Sequence, residues 1–161
     1  MAHRECLERP CDVTLWCDLF ALEKGLSSAW HCLARFIGLS QSEYLILIAV
    51  NQAEPESEVG IAEIARRLRL SSAFVTFEVG KLVQKGLLTK LPHATDRRRV
   101  RLLITECGLE KLDSLTSIQA SVNQALFASL DHKDLERLTV IMEGLRRDAD
   151  HATQLARYLT T

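Results

Sequence analysis

Residues 61–105 read IAEIARRLRLSSAFVTFEVGKLVQKGLLTKLPHATDRRRVRLLIT, and this stretch decides the fold. Ile61, Ile64, Ala65 and Leu68 recur at helical spacing and mark one buried face, while Arg66, Arg67 and Arg69 fall off it. After Leu70, the pair Ser71-Ser72 can cap a second helix running over 72–85, with Val75, Val79 and Leu82 inward and Gly86 as its stop. Residues 87–91 and 100–105 read as strands, joined by the basic hairpin loop 92–99. Two short helices across a tight turn, then a basic two-stranded hairpin, predict a winged helix-turn-helix. The second helix of such a pair can enter the major groove of DNA, and an arginine-rich loop suits the minor groove.

The charge distribution points the same way. The chain of 161 residues has 20 Lys and Arg against 21 Asp and Glu. Between residues 59 and 101 there are ten basic residues, opposed only by Glu63, Glu78 and Asp96, a surplus of seven. The rest of the chain therefore carries a net −8. A basic middle in an acidic frame marks a surface for a polyanion.

Outside the middle the chain reads as helix. Leu15, Leu19, Leu22, Leu26, Trp30, Leu33 and Ile37 form a stripe over 12–37, widened by Trp16 and Phe20 and closed by Gly38. Ser40-Gln-Ser-Glu43 has the pattern of a capping box opening a buried helix over 41–53. From Glu106 a stripe of Leu109, Leu112, Leu115, Ile118, Val122 and Leu126 predicts one helix to about 130. Asp131 and Asp134 then start another, faced by Leu135, Leu138, Met142, Leu145, Leu155 and Leu159. The first and last helices have more apolar face than one small domain can bury, which predicts a two-fold helical dimer. The expected organisation is a dimerisation helix over 1–40, a DNA-binding lobe over 41–105 and further dimerisation helices over 106–161. The fold class is mainly α with a small β-hairpin wing.

Within that frame, Leu70-Ser-Ser-Ala-Phe-Val-Thr, Lys85-Gly-Leu-Leu, Asp96-Arg-Arg and Leu103-Ile-Thr-Glu-Cys-Gly108 resemble the MarR family of transcription regulators. With the flanking helices the resemblance covers nearly the whole chain, and its most specific part is the Asp-x-Arg wing followed by strand and Thr-x-x-Gly. The resemblance implies a homodimer that represses from a pseudo-palindromic operator. It implies that Arg98 enters the minor groove, oriented by Asp96 and flanked by Arg97 and Arg99, and that Ser72, Phe74, Thr76, Phe77 and Lys81 form the outward face of the reading helix. Three features depart from the family pattern. Phe77 stands where an arginine or polar residue is common, and it either touches a thymine methyl or packs internally. Gly80 lies mid-helix at a cost of about 1 kcal/mol against Ala. Glu78 adds an acid to a helix that should approach phosphates.

Members of the family respond to small aromatic acids, their thioesters, oxidants or metals. Trp30, His31, Arg35 and Tyr44 are the candidate ligand residues, with Arg35 as a carboxylate clamp and the rings as walls; the alternative is core for Trp30 and Tyr44, interface for His31 and Arg35. Cys17 falls near the reactive position of hydroperoxide-sensing members and is the candidate redox residue. The five cysteines, Cys6, Cys11, Cys17, Cys32 and Cys107, are odd in number and form no Cys-x-x-Cys pair, which predicts free thiols. No metal or cofactor site is expected: His31, Cys32, Glu43 and Cys107 offer no helical His-x₃-His pair. There is no Gly-rich phosphate loop, no paired His/carboxylate motif and no nucleophile elbow, so the reading is not an enzyme. A helical interaction module without DNA binding leaves the basic hairpin unexplained. The longest apolar run, residues 44–50, is far short of the about 20 residues of a membrane span, and a soluble, cytoplasmic protein is expected.

Overall fold

The computed structural model describes residues 13–53, 59–92 and 100–160. Among them are seven helices and one two-stranded sheet: α1 (Val13–Phe36), α2 (Gln41–Asn51), α3 (Ile61–Leu68), α4 (Ser72–Gln84), β1 (Leu88–Pro92), β2 (Val100–Ile104), α5 (Glu106–Asp113), α6 (Thr116–Leu126) and α7 (His132–Leu159). The chain forms two compact units, residues 1–119 and 120–161.

In the first unit, α1 ends at Gly38, whose φ of +71° is the left-handed cap that the sequence predicts. Lys111 donates to the carbonyl of Ile37 at 2.9 Å, satisfying an acceptor just past the end of α1. The chain bends by 88° into α2. Ser40 opens that helix with a complete capping box: its Oγ accepts the Glu43 N–H, and the Glu43 carboxylate accepts the Ser40 N–H. The core gathers Tyr44, Ile46 and Leu47 of α2, Ile64 of α3, Val75, Val79 and Leu82 of α4, Leu88, Leu102 and Leu115, all nearly or fully buried. No single described helix is long and apolar enough to cross a membrane.

The hairpin is antiparallel, with Leu88 opposite Ile104 and Pro92 opposite Val100. Its first strand starts one residue later than the sequence suggests, because Leu87 is drawn into the turn after α4, its N–H donating to Leu82. Val59 extends the pairing on the other side of β2 by accepting the Leu102 N–H at 2.8 Å.

The junction of β2 and α5 explains the spacing of Thr105 and Gly108. Thr105 caps α5 by accepting the Gly108 N–H, and its hydroxyl donates to the Gly86 carbonyl at 2.7 Å. Its own N–H donates to the Leu87 carbonyl. One threonine thus ties the turn after α4 to the start of α5. Gly108 sits so close to that turn that a Cβ would collide with the Leu87 carbonyl oxygen and come within 2.7 Å of the Ile104 side chain.

The single helix expected from Glu106 to about 130 is interrupted. The Ser114 hydroxyl donates to the Lys111 carbonyl at 2.7 Å. That carbonyl is the one the Leu115 N–H would use in a continuous helix; Leu115 bonds to Leu112 instead. The apolar stripe runs across the break, which is why the pattern hides it.

In the second unit, Asp131 caps α7 in a box with Asp134. Of the 28 residues of α7 none is buried. Val140, Ile141, Met142, Leu145, Leu155 and Leu159 are exposed within the unit. In the first unit the N-terminal half of α1 is likewise uncovered: Trp16 is 66 % and Phe20 64 % exposed, and Leu15, Leu19 and Leu22 are open with them.

Candidate nucleic-acid interface

The turn between α3 and α4 is short and tight. Arg69 adopts a left-handed conformation with φ +55°, and the Leu70 N–H reaches back to the Ala65 carbonyl at 2.9 Å. Ser71 then caps α4, its Oγ accepting the Phe74 N–H at 3.2 Å. α4 buries Val75, Glu78, Val79 and Leu82, positions spaced by three, one and three. The opposite face carries Ser72, Ala73, Phe74, Thr76 and Phe77, all exposed. Phe77 is 65 % exposed, which excludes the reading of it as a packed side chain. The Lys81 ammonium lies 5.1 Å from the centre of the Phe77 ring, a cation–π distance. The Thr76 hydroxyl donates to the Ser72 carbonyl at 2.7 Å.

Glu78, the acid on the helix expected to approach phosphates, faces inward. It is 4 % exposed, pairs with Lys81 at 2.7 Å, and accepts a long contact of 3.5 Å from the Ser40 hydroxyl. Beside it, Glu43 of α2 is buried and lies 2.8 Å from the Lys85 ammonium. The two acids, two lysines and Ser40 form a polar brace between the start of α2 and the reading helix. Burial pushes the Glu43 carboxyl up. The Lys85 hydrogen bond, the Ser40 N–H and the charges of Lys85 and Lys81 outweigh it, and the group titrates below its ordinary 4.5. The sequence reading has Glu43 as a cap and a weak metal-ligand candidate, and leaves the direction of Glu78 open. The signal was present, since Glu78 shares the face of Val75, Val79 and Leu82.

Further basic residues lie on α3 and β1. Arg66 of α3 is held by Glu63 through contacts as short as 2.7 Å, and Arg67 reaches the Ala49 carbonyl at 3.3 Å. Lys90 of β1 is exposed. The expected wing residues Asp96, Arg97, Arg98 and Arg99 lie outside the described residues.

The candidate ligand residues divide. Trp30, His31 and Arg35 lie exposed on the C-terminal half of α1. Tyr44 is fully buried, with its hydroxyl 3.5 Å from Gln119, and burial raises its phenol above the ordinary 10. It is a core residue of this unit and does not wall an open site. A shallow cleft of about 610 Å³ opens elsewhere, between the end of α1, the end of α4 and α5; Phe36, Lys85, Cys107 and Lys111 are among its lining residues, and none of the four candidates is. Cys17, Cys32 and Cys107 are free and exposed. Among the described residues no three His, Cys, Asp or Glu side chains gather as a metal site, and Glu43 is committed to Lys85.

Comparisons with known proteins bear on the same region. The family model described as MarR family matches residues 37–99. The chain is 27% identical over 96 residues to the HTH-type transcriptional regulator SarZ of Staphylococcus haemolyticus, a match spanning 60% of this chain and 63% of SarZ. It is 26% identical over 112 residues to the regulator MhqR of Bacillus subtilis, covering 70% and 75% of the two chains. Among solved structures, a MarR/EmrR family regulator from Acinetobacter sp. ADP1 superposes with a TM-score of 0.73 at 20% identity, over 87% of this chain and 97% of that one. The Staphylococcus aureus MepR chain of a MepR–DNA complex superposes with a TM-score of 0.64 at 16% identity, over 81% and 93%. Residues 37–99, which span the helix-turn-helix and reach into the hairpin, are thus similar to the MarR family of transcription regulators, and the fold is that of its solved structures.

Proposed function

We propose that the protein is a homodimeric repressor that occupies an inverted-repeat operator and leaves it on binding a small aromatic or acyl-aromatic anion. The observation that carries the dimer is the uncovered apolar face of α1, with Trp16 and Phe20 more than half exposed in a unit that has a well-buried core of its own. An exposed stripe of this size is costly in water and marks an association surface. α7 offers a second such face. Segments 1–40 and 106–161 then supply the dimer frame around the lobe 41–105. A two-fold dimer presents two reading helices, which suits half-sites about one helical turn apart. Light scattering at micromolar concentration should give the mass of two chains, and a full inverted repeat should bind more tightly than one half-site. A monomer, or equal affinity for the two DNAs, overturns the proposal.

The wing carries a second expectation, drawn from the match of Asp96-Arg-Arg to the family pattern. Arg98→Ala is expected to weaken operator binding by about 1–3 kcal/mol, more than Arg99→Ala. Arg98 would enter the groove, whereas Arg99 adjoins the strand and would meet phosphate. Equal small losses in a titration of both variants would show that the match is misplaced by a residue.

For the signal, Trp30, His31 and Arg35 are the candidate contacts. They share the exposed side of α1 near its bend into α2, where a ligand can couple the dimer frame to the DNA lobes. A ligand acts only through its differential affinity for the two arrangements. Arg35→Ala should therefore retain DNA binding and lose release by aromatic acids, while Cys17→Ser should still respond. Release that needs peroxide, is reversed by dithiothreitol and vanishes in Cys17→Ser would establish a thiol switch in its place.

A further inference from the structure

We infer that α4 reads its operator through apolar contact of Phe77 and Phe74 with thymine methyl groups, in place of bidentate hydrogen bonds to bases. The inference rests on the DNA-binding reading above and concerns what the reading helix recognises.

The donors and acceptors of α4 are nearly all committed. The helix carries no arginine or asparagine, and its only glutamine, Gln84, is its last residue. The base-contacting part of a reading helix is its N-terminal part, far from Gln84. The Thr76 hydroxyl donates within the helix to Ser72. The Lys81 ammonium is held by Glu78 at 2.7 Å, and the Lys85 ammonium by Glu43 at 2.8 Å. Glu78 itself is buried. The exposed face is therefore Ala73, Phe74 and Phe77, flanked by the hydroxyl of Ser72.

On the major-groove edge of the base pairs, the thymine C5-methyl is the apolar group that such a face can recognise. Phe77 is 65 % and Phe74 39 % exposed, three residues apart on one side of the helix. Their separation along the axis is about 4.5 Å, which suits thymines within one or two base steps. Lys81, stacked on the Phe77 ring, limits the ring's freedom before DNA arrives.

The test uses the full chain. Its binding site is selected from a random duplex library, then resynthesised with uracil in place of each thymine in turn, which removes only the methyl. Binding is read by fluorescence anisotropy. At one or two thymines per half-site, uracil should weaken binding about fourfold, the equivalent of about 0.8 kcal/mol for one buried carbon. Phe77→Ala should bind the thymine site less tightly and close the gap between thymine and uracil at one of those positions; Phe74→Ala should do so at the other. Both side chains are exposed, so thermal unfolding of the variants should match the parent. Uracil tolerated at every position overturns the inference, as does a gap that survives in both alanine variants. A library that yields no enriched site overturns the DNA-binding reading, and the inference falls with it.

Discussion

Gly108→Ala is expected to lower stability by about 3 kcal/mol, at the upper end of the cost of overpacking. For a chain of this size that is about 10 °C in Tm. The added methyl would collide with the Leu87 carbonyl oxygen and lie 2.7 Å from Ile104 Cγ1. A backbone oxygen cannot swing aside as a side-chain end can. Moving α5 to make room would break the Thr105 bonds to Gly86 and Leu87. Gly80→Ala is the matched control. A Cβ there meets nothing within 4 Å, so the gain in helix propensity, up to about 1 kcal/mol, should appear as a higher Tm. Thermal unfolding of the two variants decides the matter. An unchanged Tm in Gly108→Ala would show that α5 can back away from the turn.

Glu43→Ala should cost about 2–3 kcal/mol and flatten the acid limb of the stability curve. The substitution removes the reciprocal half of the capping box, leaving the Ser40 N–H without its carboxylate, a loss of about 1 kcal/mol on the scale of caps. It also strands Lys85. A wholly buried partner left alone would cost about 3–5 kcal/mol, but the Lys85 side chain is 42 % exposed and can turn to water, so the loss is smaller. The sign of the pH effect follows from the lowered folded-state pKa. Folding favours the ionised carboxylate, so the stabilisation is complete above the unfolded value of 4.5. It fades as pH falls through the lower folded value. Urea unfolding between pH 3 and 6 should show a shallower slope in Glu43→Ala than in the parent. Parallel curves would mean that other carboxylates govern the acid limb.

The elements that the sequence made legible are those with local chemical punctuation. Gly38 and Gly86, both at positive φ, end helices where expected, and the Ser40 and Asp131 capping boxes form as the spacing requires. Of the outward set that the resemblance implies, Ser72, Phe74, Thr76 and Phe77 are exposed, opposite Val75, Val79 and Leu82, while Lys81 is half-buried against Glu78. What escaped depends on distant partners. The buried role of Glu78 depends on Ser40, 38 residues away, and on Lys81. Tyr44 stood in both a core and a ligand reading, and the core closes around it. The break at Ser114 turns on one hydroxyl choosing the Lys111 carbonyl, a choice that an uninterrupted leucine stripe conceals.

The brace between α2 and α4 has a consequence for ionic strength. DNA affinity falls with salt in proportion to the number of phosphates that cations neutralise. Lys81 and Lys85 each sit against a carboxylate of the protein itself, so α4 should release few counterions on docking. The salt slope then belongs chiefly to the hairpin and the loop that joins its strands, since Arg66 of α3 is likewise held by Glu63, while discrimination between sequences belongs to an uncharged face. Raising the salt should weaken every site together and leave the preference between two sites that differ only beneath α4 nearly constant. A regulator built this way keeps its selectivity when osmotic stress changes the ions around it.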